Sequence, residues 1–229
     1  MRHIRIAAAS VAVALLTCGS GAWAGSASSD HGASKWKVWD YNRIQTHPAR
    51  IPDPTGTNGL SFEFLSTPDT ALLVTGHPSY TGTLLGDDTG KTLSAKVGVT
   101  VTAGTVFTYY GEPGGCDRAA NVRFYFETNT SGKFEETDYW WSNPVSVDLE
   151  ALKTADQTLT VDFDPTKWSD YYGHFGSTPA YTAAFLAAVK DVQLIGLSFG
   201  GGCFFENGVG IAPGTGSGSF RLENFTAVP

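Results

Sequence analysis

Carboxylates and aromatic rings crowd together in the stretch FETNTSGKFEETDYWWSNPVSVDLE, residues 126–150. Glu136 and Asp138 stand two apart, Trp140 and Trp141 follow as neighbours, and Arg123 and Tyr125 lie just upstream. A flat ring beside carboxylates and a guanidinium suits a sugar, whose C–H face stacks on the ring while its hydroxyls find hydrogen-bond partners. A second concentration, KWSDYYGHFG, sets Trp168, Tyr171, Tyr172, His174 and Phe175 on an expected loop, where binding groups tend to collect. Tyr172 with His174 is a pair able to abstract a proton. Glu135 with Glu136 or Asp138, and Asp162 with Asp164, are the residue types a glycosidase uses. Carboxylates two apart on one strand project in parallel, however, so solvated carboxylates are the better reading. The chain contains no HExxH, phosphate loop or dinucleotide fingerprint.

These residues need a hairpin to position them. In NVRFYFET, Val122, Phe124 and Phe126 share one face of a strand and Arg123, Tyr125 and Glu127 the other. A turn with an even number of residues places Glu136, Asp138 and Trp140 with Arg123, Tyr125 and Glu127, and sends Trp141 to the phenylalanine face. An odd turn drives Glu136 and Asp138 into the core, at several kcal/mol for each unpaired carboxylate. The expectation is therefore an exposed Trp140 and a core Trp141. The competing reading has a loop or helix covering Trp140.

The rest of the chain reads as short β-type runs punctuated by Gly and Pro. They span 35–41, 60–66, 71–75, 81–85, 93–102, 105–110, 121–128, 133–142, 145–149, 158–163, 192–199 and 219–228. In TLTVDFD, Leu159, Val161 and Phe163 alternate with polar residues, as in a half-buried strand. STPAYTAAFLAAVKDV predicts a single helix over 179–190, with Thr178 as its cap and Pro179 at its first position. The expected fold is all-β: a two-sheet antiparallel sandwich of jelly-roll type with one short helix, an immunoglobulin-like sandwich being the alternative.

The first 24 residues read as a secretory leader ending at Ala22-Trp23-Ala24. A Gly/Ser-rich tether follows over 25–34, then one domain over 35–229. A lipid anchor on Cys18 is the minor alternative. Removing Arg2 and Arg5 with the leader takes the formal charge from −7 to −9. Such acidity argues against nucleic acid as a partner, and no segment after the leader is long and apolar enough to span a membrane. Two cysteines then remain, Cys116 and Cys203, an even count that in an exported chain suggests a disulfide, with two free thiols as the alternative. No cofactor is implied. Structural calcium is a possibility at Asp87 and Asp88, or at Asp162 and Asp164.

Together VRFYFETN, YWWSNPVSVDL, DPTKWSDYYG and IGLSFGGGCFFENGV resemble a secreted bacterial β-sandwich family with no established activity. More distantly, AFLAAVKDVQLIGLSFGG looks like a late strand of galactose-binding-like jelly rolls, a superfamily with many carbohydrate-binding modules. That resemblance implies a sugar-facing aromatic surface and transfers no catalytic residue. The expectation is a secreted, non-catalytic protein that binds glycans or a cell-surface polymer through Trp140, Tyr125, Arg123, Asp138, Glu136, Trp168, Tyr172 and His174. A polysaccharide-degrading enzyme on the same fold and a structural or protein-interaction domain are the alternatives.

Overall fold

The computed structural model describes residues 35–41, 46–48, 55, 59–76, 84–110, 119–128, 133–201 and 208–229. The expected leader and tether, Cys18, Cys116, Cys203 and most of the strand expected over 81–85 lie outside the described residues. In chain order the elements are β1 (Trp36–Tyr41), β2 (Thr46–Pro48), β3 (Leu60–Glu63), β4 (Thr70–Thr75), β5 (Thr92–Val101), β6 (Phe107–Tyr109) and β7 (Asn121–Glu127). They continue with β8 (Tyr139–Asp148), the one-turn helix α1 (Leu149–Leu152), β9 (Gln157–Asp162), β10 (Trp168–Ser169), α2 (Thr182–Val189), β11 (Leu194–Gly200), β12 (Val209–Ile211) and β13 (Gly218–Val228).

One sheet runs β10-β8-β7-β11-β4-β1-β2, with β12 paired to β4 and β6 paired to β12; the other runs β3-β13-β5-β9. The architecture is the expected two-sheet antiparallel sandwich of jelly-roll type. β2, β10 and β12 were not anticipated, being only two or three residues long, too short to show a period-two pattern. The helix is shorter than its sequence pattern: residues 179–181 form a turn in which the N–H groups of Tyr181 and Thr182 both donate to Thr178 O, at 2.8 and 3.1 Å.

The core lies between the sheets. β7 contributes Val122, Phe124 and Phe126, and β11 contributes Ile195, Leu197 and Phe199. They face Leu93, Ala95, Val97 and Val99 of β5 and Leu159 and Val161 of β9, so the alternation in TLTVDFD points inward as expected. β13 changes parity along its length. Phe220 and Leu222 are buried, then Phe225 and Ala227, because its register against β5 shifts between Leu222 and Asn224. Such a bulge inserts one residue and so moves the inward set from even to odd positions. β11 is buried along all seven residues, having β7 and β4 as neighbours and a second apolar cluster on the sheet's outer face. That cluster contains Ala71, Leu72, Val74, Tyr125, Trp141 and Leu194, with Trp39, Tyr139 and Tyr171 packed against it.

Candidate functional site

β7 and β8 pair with Tyr125 opposite Trp141, Phe126 opposite Trp140 and Glu127 opposite Tyr139. This is the odd register, and it reverses the expected tryptophan faces. Trp140 points between the sheets and is 0% exposed; its ring meets Phe185 of α2 at 4.9 Å, and its Nε1 donates to Thr137 O at 2.7 Å. Trp141 points to the outer face, 5.0 Å from Tyr125, with Nε1 donating to Ser198 Oγ at 3.0 Å. The cause is a 3-10 turn over Glu136–Asp138. It takes both carboxylates out of the strand before β8 begins, so the odd register buries neither in the core.

Three more expected binding residues are buried. Trp168 is in the inter-sheet core, stacked on Phe163 at 5.2 Å and 4°, with its indole N–H satisfied by Asp162 O at 2.8 Å. Arg123 and Tyr125 lie under the outer face. Arg123 donates from Nε and Nη2 to Asn121 Oδ1, at 3.2 and 2.9 Å. Trp140, Trp168, Tyr125 and Arg123 therefore offer no open platform to a polymer.

Glu136, Asp138, Tyr172 and His174 instead gather at one edge of the large sheet. The 3-10 turn delivers the first two, and the loop between β10 and α2 delivers the others. The two segments touch where Tyr171 N donates to Glu136 O at 3.5 Å. On this edge Phe134 and Tyr172 are 51% and 55% exposed. Phe134 stacks on Tyr139 at 5.6 Å and meets Tyr171 edge-on at 4.9 Å; Tyr171 in turn meets Tyr172 at 5.3 Å and Trp141 at 6.3 Å. A continuous series of rings thus runs from the buried Trp141 to the exposed Phe134 and Tyr172.

The loop is built around Asp170, which is fully buried. Its Oδ1 accepts from the backbone N–H groups of Tyr172 and His174, at 3.0 and 2.8 Å. Gly173 closes the turn with φ 83°, a conformation other residues adopt only with strain. Oδ2 faces His174 Nδ1 at 3.0 Å. A carboxylate only accepts, so the proton of that bond sits on Nδ1. The His174 ring lies flat on Tyr181, 4.2 Å away at 8°, with Nε2 3.4 Å from the Tyr181 hydroxyl. Glu136, Asp170 and His174 each present one donor atom, all within 4.8 Å of one another.

Next to this cluster the electrostatics are unusual. Glu127 is buried and accepts from Tyr125 Oη at 3.0 Å. Burial first, then the nearby Asp138 carboxylate, push its pKa up to about 7 against the opposing pull of that hydrogen bond. Tyr139 is pushed up to about 12, mainly by burial and then by Glu127, Asp138 and Tyr171. Desolvation and the carboxylates of Glu136 and Asp170 raise Tyr181.

Phe134, Asp170 and Tyr181 were missed as site residues. Phe134 carried a signal, a large aromatic between Lys133 and Glu135 in a polar turn. Asp170 carried a weaker one, Asp-x-x-Gly, which is ordinary turn chemistry. Tyr181 carried none, because it reads as a helix residue. Each carboxylate considered for calcium has at least one oxygen engaged locally, while Asp88 Oδ2 is buried without a hydrogen bond. Asp87 Oδ1 accepts from Thr89 N, and Asp164 Oδ1 from Thr166 N. Asp88 Oδ1 pairs with Lys91 at 2.7 Å, and Asp162 Oδ2 with Lys167 at 2.9 Å.

No protein-family model matches the sequence, and no curated protein matches it. Among solved structures, the native family 12 xyloglucanase from Bacillus licheniformis aligns over 89% of this chain and 98% of its own, at 12% identity and a TM-score of 0.33. A likeness of that size carries no inference about activity.

Proposed function

We propose that the protein is exported and binds a carbohydrate polymer through the edge formed by Phe134, Tyr139, Tyr171 and Tyr172, with Glu136, Asp138 and His174 as polar partners. The observation that carries this reading is the exposure of Phe134 and Tyr172, 51% and 55%, on rings held in place by packing. A large ring left in water at little entropic cost is what a sugar face stacks on. The adjacent carboxylates and the imidazole Nε2 supply acceptors for the hydroxyls of a sugar. An edge rich in carboxylates on an acidic chain suits neutral polymers and disfavours nucleic acid. The leader pattern supports export. No helix among the described residues is long and apolar enough to cross a membrane.

The test is calorimetric titration of the protein with soluble polysaccharides, comparing wild type with the Phe134→Ala/Tyr172→Ala double variant. Binding by wild type that the folded double variant loses supports the reading. Unchanged binding by the double variant sinks it.

A second reading, cleavage of the bound polymer, is favoured by one observation. The buried Glu127, with a pKa of about 7, has the protonation of a general acid, and it lies on the same edge as Asp138. Release of reducing ends or unsaturated products from a polymer that binds would establish it.

A further inference from the structure

We propose that Glu136, Asp170 and His174 form a binding site for one divalent transition-metal ion of the zinc class. The donor set is a mixture of one imidazole and two carboxylates, which suits a borderline ion better than the all-oxygen shell of calcium or magnesium. Asp170 is fully buried, half-exposed Glu136 and His174 open the site to solvent, and the three donor atoms lie within 4.8 Å of one another.

His174 and Asp170 have the spacing of two ligands on one ion. Metal–ligand bonds of about 2.0 to 2.2 Å place adjacent ligand atoms roughly 3.0 to 3.5 Å apart, depending on the coordination angle. His174 Nδ1 and Asp170 Oδ2 are 3.0 Å apart. Both groups are already oriented: the two backbone N–H groups hold the other oxygen of Asp170, and the imidazole is fixed against Tyr181. Metal-ligating side chains are generally fixed by such outer contacts. Glu136 stands on the 3-10 turn across from them, and its flexible side chain closes the third position. On metal entry the imidazole changes tautomer: Nδ1 gives up its proton, Nε2, which faces the Tyr181 hydroxyl, takes one up, and the freed Nδ1 lone pair binds the metal. The remaining positions face solvent beside Tyr172, whose ring lies 6.3 Å from that of His174, and accept water or a hydroxyl oxygen.

The test uses the full chain after treatment with chelator, titrated with Zn2+ by calorimetry and with Cu2+ by electron paramagnetic resonance. The expected result is one ion per chain and a Cu2+ spectrum with one coordinated imidazole nitrogen. His174→Ala should abolish that nitrogen signal, and Glu136→Gln should weaken Zn2+ binding by about tenfold or more. Glu136 is half-exposed, so its variant remains informative even if changes at Asp170 prevent folding. Failure of the folded wild-type chain to bind Zn2+, or binding that neither substitution alters, overturns the proposal. Metal binding is measured without any polysaccharide, so this inference stands or falls separately from the carbohydrate reading.

Discussion

Two aromatic regions of this protein contain similar residues and have opposite consequences. Between the sheets, Phe126, Trp140, Phe163, Trp168 and Phe185 pack at centroid distances of 4.9 to 6.3 Å without an exposed ring. On the outer face, Tyr125, Trp141, Tyr171, Tyr139 and Phe134 form a comparable series, but it is interleaved with Glu127 and ends in solvent. The density of rings is therefore a poor guide to binding. What separates the regions is where each series ends and which titratable groups it carries.

The largest expected effect is on the inner region. Trp140→Ala removes a fully buried ring and the bond to Thr137 O, and is expected to cost about 3 to 5 kcal/mol. Urea denaturation measures it, and a loss below about 1 kcal/mol would break the contrast by showing that Trp140 is not core.

Glu127 gives the next effect. Its folded pKa of about 7 lies above the ordinary carboxyl value, so the folded chain binds its proton more tightly than the unfolded chain does. Stability from this group is then fully present at low pH and falls as pH rises from the ordinary value towards 7, by on the order of 2 to 3 kcal/mol. Asp88, raised to about 6 by burial, acts in the same direction. Glu127→Gln should stabilise the protein at about pH 8 and flatten the decline in urea midpoint between about pH 5 and pH 8. A decline as steep in the variant as in wild type would remove Glu127 as its source.

Tyr125→Phe tests the bond that joins ring and carboxyl. Losing a 3.0 Å hydrogen bond to Glu127 should cost roughly 1 kcal/mol, and less in the Glu127→Gln background. The double-mutant cycle reports the coupling, and strict additivity would mean the two groups act independently.

The smallest stability effects belong to the exposed end. Phe134→Ala and Tyr172→Ala should each shift stability by no more than about 0.5 kcal/mol while carrying the largest loss of polysaccharide binding. A large drop in thermal midpoint would assign these rings to packing instead.

The legible part of the fold was whatever depends on local pattern. Leu159 and Val161 point inward because alternation on a half-buried strand is a local property, and the apolar run at β11 reads as central because both faces are covered. The site was less legible. The tryptophan assignment depended on the parity of a turn, and parity changed when Glu136–Asp138 left the strand as a 3-10 turn, where the Glu136 carbonyl meets the loop after β10. Arg123 and Tyr125 have the composition of a surface, yet the outer-face cluster buries both.

The sequence by itself determined the all-β class, most strand positions, the presence of the helix and the acidic, aromatic-rich character of the chain, since each follows from composition and short-range periodicity. Only the tertiary structure decided which tryptophan faces the core, which rings reach water and that Glu136 meets Asp170 and His174. Those outcomes rest on the register between β7 and β8 and on contacts between segments more than thirty residues apart, which no local pattern encodes.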